Sequence, residues 1–170
     1  MPGLGHIAVG MAAGRLHSRW QAARSPVVAM VAFTALSAIH DADLIGFSFG
    51  IPYDAPYGHR GASHSIFAGL LLGILAGCLG RIAGWAWGIT TVLACGVAVS
   101  HGLLDTLTDG GRGIALLWPL STERFFSPWQ PLPVSPLGMG VFSWWGLRVL
   151  LFELVVFSPL WLFALWPRKR

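Results

Sequence analysis

The sequence predicts an all-α integral membrane bundle, with four long transmembrane helices and a short helix ahead of them, in one domain over residues 1–170. Three observations carry this. Hydrophobic residues make up 55% of the chain and charged residues only 11%, whereas a soluble domain carries about 25% charge. The apolar residues are gathered into runs of membrane-spanning length. The basic residues stand mostly singly between those runs, as determinants of topology do.

Residues 4–19 read as the short helix, with His6 near its start and Arg15, His17 and Arg19 towards its end. At about 1.5 Å per residue it only just crosses a thin bilayer, and a re-entrant or interfacial position is the alternative. Pro26 opens the first long run, apolar from Val27 to Ile39, which leads into His40-Asp41-Ala42-Asp43 and a second apolar piece, Leu44 to Ile51. A bent or extended link is expected at Asp41 and Asp43, because an extended chain points residues two apart the same way.

The loop at 52–62 contains Pro52, Pro56 and His59-Arg60-Gly61. Ser63 is the expected N-cap of a helix running from His64 to about Gly80. Arg81 marks a turn. The next helix covers about 84–108 and carries His101 and Asp105 in its last two turns. Repeated prolines keep 109–142 out of regular helix, and its Phe125, Phe126 and Trp129 suit an interfacial lid. The last helix, about 143–166, ends at a basic tail.

The net charge of +4 does not form a stripe, so nucleic acid is excluded as a partner. Cys78 and Cys95 lie inside apolar runs and are expected to be packed thiols without a disulfide. No basic region precedes the first apolar stretch, so a signal peptide of the usual form is not expected. No internal repeat is present.

Placing Arg15, Arg19, Arg24, Arg81 and Arg168-Lys169-Arg170 on the cytoplasmic side fits four crossings from residue 26 onward. Asp41, Asp43, His59, His64, His101 and Asp105 then collect on the opposite face, and His6 joins them if residues 4–19 also cross. Trp144 and Trp145 fall at the outer interface; Trp20, Trp85, Trp87 and Trp166 fall at the inner one.

His101 and Asp105 are four apart, on one helix face. His59 and His64 flank a helix start and can reach one ion. The metal-ligand set is therefore His6, Asp41, Asp43, His59, His64, His101 and Asp105. Such a His/Asp set suits a divalent ion, zinc first, with manganese or iron as alternatives, and it is large enough for one or two ions. Asp105, His101 and Asp41 are the expected catalytic residues. Arg60, Arg112 and Arg124 face the same side and suit phosphate oxygens. Ser63, Ser65 and Thr106 are expected to support the ligands. Glu153, midway along the last helix, is expected to make a neutral interhelical hydrogen bond.

The segments His59-Arg60-Gly61-Ala62-Ser63-His64-Ser65, Ser100-His101-Gly102-Leu103-Leu104-Asp105-Thr106-Leu107-Thr108 and Leu117-Trp118-Pro119-Leu120-Ser121 resemble the YdjM-like family. His6 with Gly10 matches that family's early histidine and glycine. Asp41 and Asp43 match its Pro-Asp-x-Asp segment, with His40 in place of the proline. The resemblance covers about residues 4–125. It implies a LexA-regulated, metal-dependent hydrolase of the bacterial inner membrane with phospholipase-like activity.

The leading expectation is thus a multi-pass inner-membrane hydrolase. A metal-activated water at the outer face would attack a lipid or small-molecule phosphoester, with a free Asp or His as base. The alternatives are a non-catalytic membrane protein with a structural metal and, last, a metal or proton transporter.

Overall fold

The computed structural model describes residues 3–21, 25–136 and 138–167. These form six α-helices and no β-strand: α1 (Gly3–Trp20), α2 (Pro26–Ala38), α3 (Ile66–Ile82), α4 (Trp87–Thr106), α5 (Trp144–Val156) and α6 (Ser158–Leu165). Arg24 and Arg168-Lys169-Arg170, four of the residues that set the expected topology, lie outside the described residues.

Two of the expected crossings have the length and hydropathy to span a membrane. One is Pro26–Phe49, in which α2 runs on without a break into a 3₁₀ helix, Ile39–Phe49; the other is α4. The run expected as the fourth crossing is not one long helix but a bent pair, α5 and α6, which meet at 66°; counted as one span, it makes three candidate spans among the described residues and not four. Pro159 supplies the reason: it has no N–H, and its ring clashes with the carbonyl four residues back. At 17 residues, α3 is apolar but shorter than the candidate spans and is not one of them.

Two hairpins, α1/α2 and α3/α4, make the bundle. Their seams are built from small residues four apart, the pattern by which helices approach closely in a membrane. A side chain on Gly73 would strike the Cys95 backbone of α4, and one on Gly10 would strike Thr34 and Phe33 of α2. The outward faces stay apolar, with Val27, Val31, Leu71, Leu75 and Leu79 all more than half exposed. Hydrocarbon is the solvent that such faces suit.

The short helix α1 is enclosed by other helices of the bundle. It packs against α2, α4, α5 and α6, at the centre of the bundle. Its glycines and alanines score weakly on hydropathy yet let four neighbours close around it. At its C-terminal end Arg15 Nη2 donates to the carbonyl of Trp166 (2.6 Å), and the buried His17 bonds Thr90 Oγ1 (2.9 Å). Those contacts bring the α1 and α6 ends together, and the chemistry-bearing residues gather at the other end of α1. The cysteines are both free, but Cys78 is exposed on α3 and Cys95 is partly buried.

Candidate metal centre

Four segments deliver the site: the first turns of α1 (His6), the 3₁₀ helix after α2 (His40, Asp41, Asp43), the turn before α3 (His59, Arg60, His64) and the last turns of α4 (His101, Asp105). The link at 39–49 is a 3₁₀ helix and not an extended strand. At about 120° per residue, Asp41 and Asp43 point different ways, and they meet different atoms. Helix α3 begins at Ile66 with Ser65 as its cap, Oγ accepting from the N–H of Ala68 (3.0 Å). Ser63, the expected cap, instead donates to Asp43 Oδ2 (2.5 Å). His64 is therefore the end of a short 3₁₀ turn, Ala62–His64, and not the first residue of the helix.

The geometry centres on two imidazoles. His101 Nδ1–H donates to the carbonyl of Ser37 (2.6 Å), and His64 Nδ1 lies 3.1 Å from Asp43 Oδ2. These bonds fix the tautomer of each ring and leave both Nε2 atoms as lone-pair acceptors. The two Nε2 atoms face each other at 3.2 Å. Asp41 Oδ1 is 3.4 Å from both, and Asp105 Oδ2 is 3.6 Å from His64 Nε2. Bonds of about 2.0–2.1 Å to a tetrahedral ion place the ligand atoms about 3.3–3.4 Å apart. His64 Nε2, His101 Nε2 and Asp41 Oδ1 stand at that spacing with Asp105 Oδ2 a little farther off, and Asp41 Oδ1 and Asp105 Oδ2 are buried without a hydrogen bond. Two lone pairs facing each other beside two carboxylates repel unless a cation or proton lies between them.

His6 Nε2 is 3.2 Å from Asp105 Oδ1, and its ring stacks on His101 at 3.7 Å. Two three-residue groups have ligand atoms mutually within 4.8 Å: His6, His101 and Asp105, and Asp41, His59 and His64. The donor set therefore fits one or two divalent ions.

Asp43 sits behind this ring of donors. Its Oδ1 accepts from His59 Nδ1 (2.7 Å), and its Oδ2 takes Ser63 Oγ and the backbone N–H of Arg60 (3.3 Å) as well as His64 Nδ1. Burial by itself would lower the pKa of His64, but Asp41 and Asp43 outweigh it and push the imidazole up to about 9. A site without metal thus takes up a proton on the residue that would be a ligand.

The three arginines have distinct surroundings. Arg60 is buried with φ of 62°, its Nε 3.3 Å from Asp105 Oδ2 and its Nη1 donating to the carbonyl of Gly110. The Arg124 guanidinium donates to four backbone carbonyls, of His59, Gly113, Tyr53 and Ala55, and so ties the 109–142 loop to the 52–62 loop. Arg112 is exposed and paired with Asp54. Of the expected supporting hydroxyls, Ser63 reaches the site, whereas Thr106 bonds the Leu103 carbonyl within its own helix. Sequence reasoning gave no role to His40, which is 2% exposed, stacks on His101 at 4.7 Å and donates from Nδ1 to the carbonyl of Ser63 (2.6 Å). Its place beside Asp41 was the available signal.

A cavity of about 360 Å³ opens beside the site at His59 and Arg60, lined also by Tyr53, Gly111, Val134, Ser135 and Pro136. It joins the histidine loop to the proline-rich loop. Burial and Arg60 raise and lower the Tyr53 pKa in turn, and burial prevails, so the phenol stays protonated above its ordinary value.

A family model described as YdjM inner membrane protein matches residues 1–170. Over 144 residues, 79% of this chain and 81% of the relative, the sequence is 36% identical to "Inner membrane protein YbcI" of Escherichia coli (strain K12). No solved structure matches.

Proposed function

The chain belongs to the YdjM inner membrane protein family, and from that premise we propose a membrane-bound, metal-dependent hydrolase acting on a phosphoester, lipid or small, at the outer face of the bacterial inner membrane. One observation carries the reading. The lone pairs of His64 and His101 and the oxygens of Asp41 and Asp105 converge at ligand spacing beside a cavity that reaches His59 and Arg60.

His64, His101, Asp41 and Asp105 would hold a divalent ion, zinc first by donor type, and His6 and His59 would complete the ligand set or hold a second ion. A bound ion supplies Lewis-acid polarisation of a phosphoryl oxygen and lowers the pKa of a coordinated water. The chain's own residues do the rest. Asp43 keeps His59 and His64 in the tautomer that presents Nε2. Arg60 neutralises Asp105 and offers a guanidinium at the cavity wall for a phosphate oxygen. His101 has both nitrogens committed, one to Ser37 and one to the centre, so of the groups here the carboxylates of Asp41 and Asp105 are the ones that could take a proton. The positive-inside arrangement of Arg15, Arg19 and Arg81 supports the outward orientation.

The burial of His101 and Asp105, both 0% exposed, favours a second reading, a structural metal with closed coordination. Elemental analysis of the detergent-purified full chain, beside His101→Ala, tests the site. One or two transition-metal ions per chain, lost in the variant, are expected. Hydrolysis of a chromogenic phosphodiester by the loaded protein then separates the enzyme from the structural reading. A wild type that takes up no metal, even with added zinc and manganese, overturns both.

A further inference from the structure

Helix α5 carries one carboxylate, Glu153, which is 0% exposed in the last turn of an apolar helix. An ionisable group at such depth is costly and asks for a reason. Its partners are not on its own helix. Oε2 accepts from the backbone N–H of Leu4 (2.7 Å) and of Gly5 (3.3 Å), nearly 150 residues away in sequence. These are among the first N–H groups of α1, which have no acceptor within that helix. A carboxylate there also meets the positive end of the helix dipole.

The next residue of α1 is His6. Its side chain reaches Asp105 and stacks on His101, and its carbonyl accepts from Ser37 Oγ (2.9 Å). One turn beyond Glu153, the Phe157 ring fills the space that a side chain on Gly5 would need. The start of α1 is therefore held along its axis by Glu153 and sideways by Phe157 and Ser37, and His6 projects into the centre from that clamp.

We propose that Glu153 is a positioning residue for the metal centre: through the N–H groups of Leu4 and Gly5 it fixes the height and rotation of α1 at which His6 can serve as a ligand. The inference rests on the reading of His6 as part of the metal site. It gives the C-terminal bent pair, α5 and α6, which supplies no ligand, a direct part in setting metal affinity.

Zinc affinity of the full chain in detergent, measured by competition with a chromophoric chelator, tests this in a double-mutant cycle. Glu153→Ala is expected to weaken zinc binding by about tenfold or more, the scale of lost ligand support. Glu153→Gln keeps an acceptor oxygen and is expected to stay within about threefold of wild type. In a His6→Ala background, Glu153→Ala is expected to add nothing, because its effect passes through His6. Should Glu153→Ala fail to fold, Glu153→Met fills the same volume without an acceptor and carries the comparison.

Wild-type affinity in Glu153→Ala or Glu153→Met overturns the inference. So does an undiminished loss in the His6→Ala background, which marks general destabilisation. Absence of zinc from the wild type removes the site reading, and this inference with it. Zinc that is bound by the wild type, weakened by His6→Ala and untouched by Glu153→Ala refutes the positioning role alone.

Discussion

Asp43→Asn separates a ligand from a residue that orients ligands. Four donors converge on the two Asp43 oxygens: His59 Nδ1, His64 Nδ1, Ser63 Oγ and the Arg60 N–H. Asparagine keeps one acceptor oxygen and puts an NH₂ group in place of the other. Whichever way the amide turns, that NH₂ faces an imidazole Nδ1. The imidazole must then move its proton to Nε2 and surrender its lone pair towards the centre, or break the contact. Losing one such support costs roughly 10–100-fold in metal affinity, or about 1.4–2.7 kcal/mol. The number of ions bound at saturation should not change, because neither Asp43 oxygen is free to coordinate. Zinc titration against a competing chelator reads both quantities, with Asp41→Asn as the comparison, which should also lower the stoichiometry or weaken binding further. Unchanged affinity in Asp43→Asn would refute the orienting role. A loss of stoichiometry equal to that of Asp41→Asn would make Asp43 a ligand.

Metal uptake should be coupled to proton release, because His64 holds a proton up to about pH 9 in the metal-free site and must lose it to coordinate. Apparent zinc affinity is expected to fall about tenfold per pH unit below 9, and calorimetry in buffers of different ionisation enthalpy should register about one proton released at pH 7. The same raised pKa stabilises the metal-free protein below the ordinary histidine value of 6.5, and that stability is lost as pH rises through about 9; thermal denaturation of the chelator-treated protein from pH 6 to 10 checks the sign. Gly73→Leu should disrupt the α3/α4 seam, because its side chain has nowhere to go but the Cys95 backbone, and loss of the monodisperse peak on size exclusion is the expected result. Gly88 has open space around it, so Gly88→Ala is the matched control and should behave as wild type.

The gathering of the site was legible because bulk charge bias and local chemistry agreed. Once Arg15, Arg19 and Arg81 were assigned to one side, Asp41, His64, His101 and Asp105 were expected on the other, with His6 joining them if residues 4–19 cross, and their side chains do meet. The division of labour between Asp41 and Asp43 was not legible. It depends on the 3₁₀ geometry of Ile39–Phe49, and nothing in His-Asp-Ala-Asp distinguishes that from an extended link. Arg124 looked like an anion-binding residue because its partners are backbone carbonyls, which a sequence does not display. The central position of α1 was hidden for a related reason. Hydropathy rewards large apolar side chains, whereas α1 is central because its side chains are small. The break at Phe157 was signalled by Pro159, but a proline near the end of an apolar run reads equally well as a tolerated kink.

The charges in the centre limit what can fill it. Asp41, Asp43 and Asp105 bring three negative charges, and Arg60 is the guanidinium paired with Asp105. With neutral histidines the cluster carries a formal charge of −2, from three carboxylates less one guanidinium, largely shielded from water. Charges buried this way need partners. Protonation of His64 supplies one positive charge but uses the Nε2 lone pair that faces His101. A divalent ion between His64, His101, Asp41 and Asp105 supplies both charges, occupies the point where the two Nε2 lone pairs collide, and leaves every Nδ1 bond in place. Sodium or potassium would leave one charge uncompensated and gain little from imidazole nitrogen. On the proposed reading, the tautomers set by Ser37 and Asp43 would therefore favour a divalent, nitrogen-binding ion before any substrate is considered.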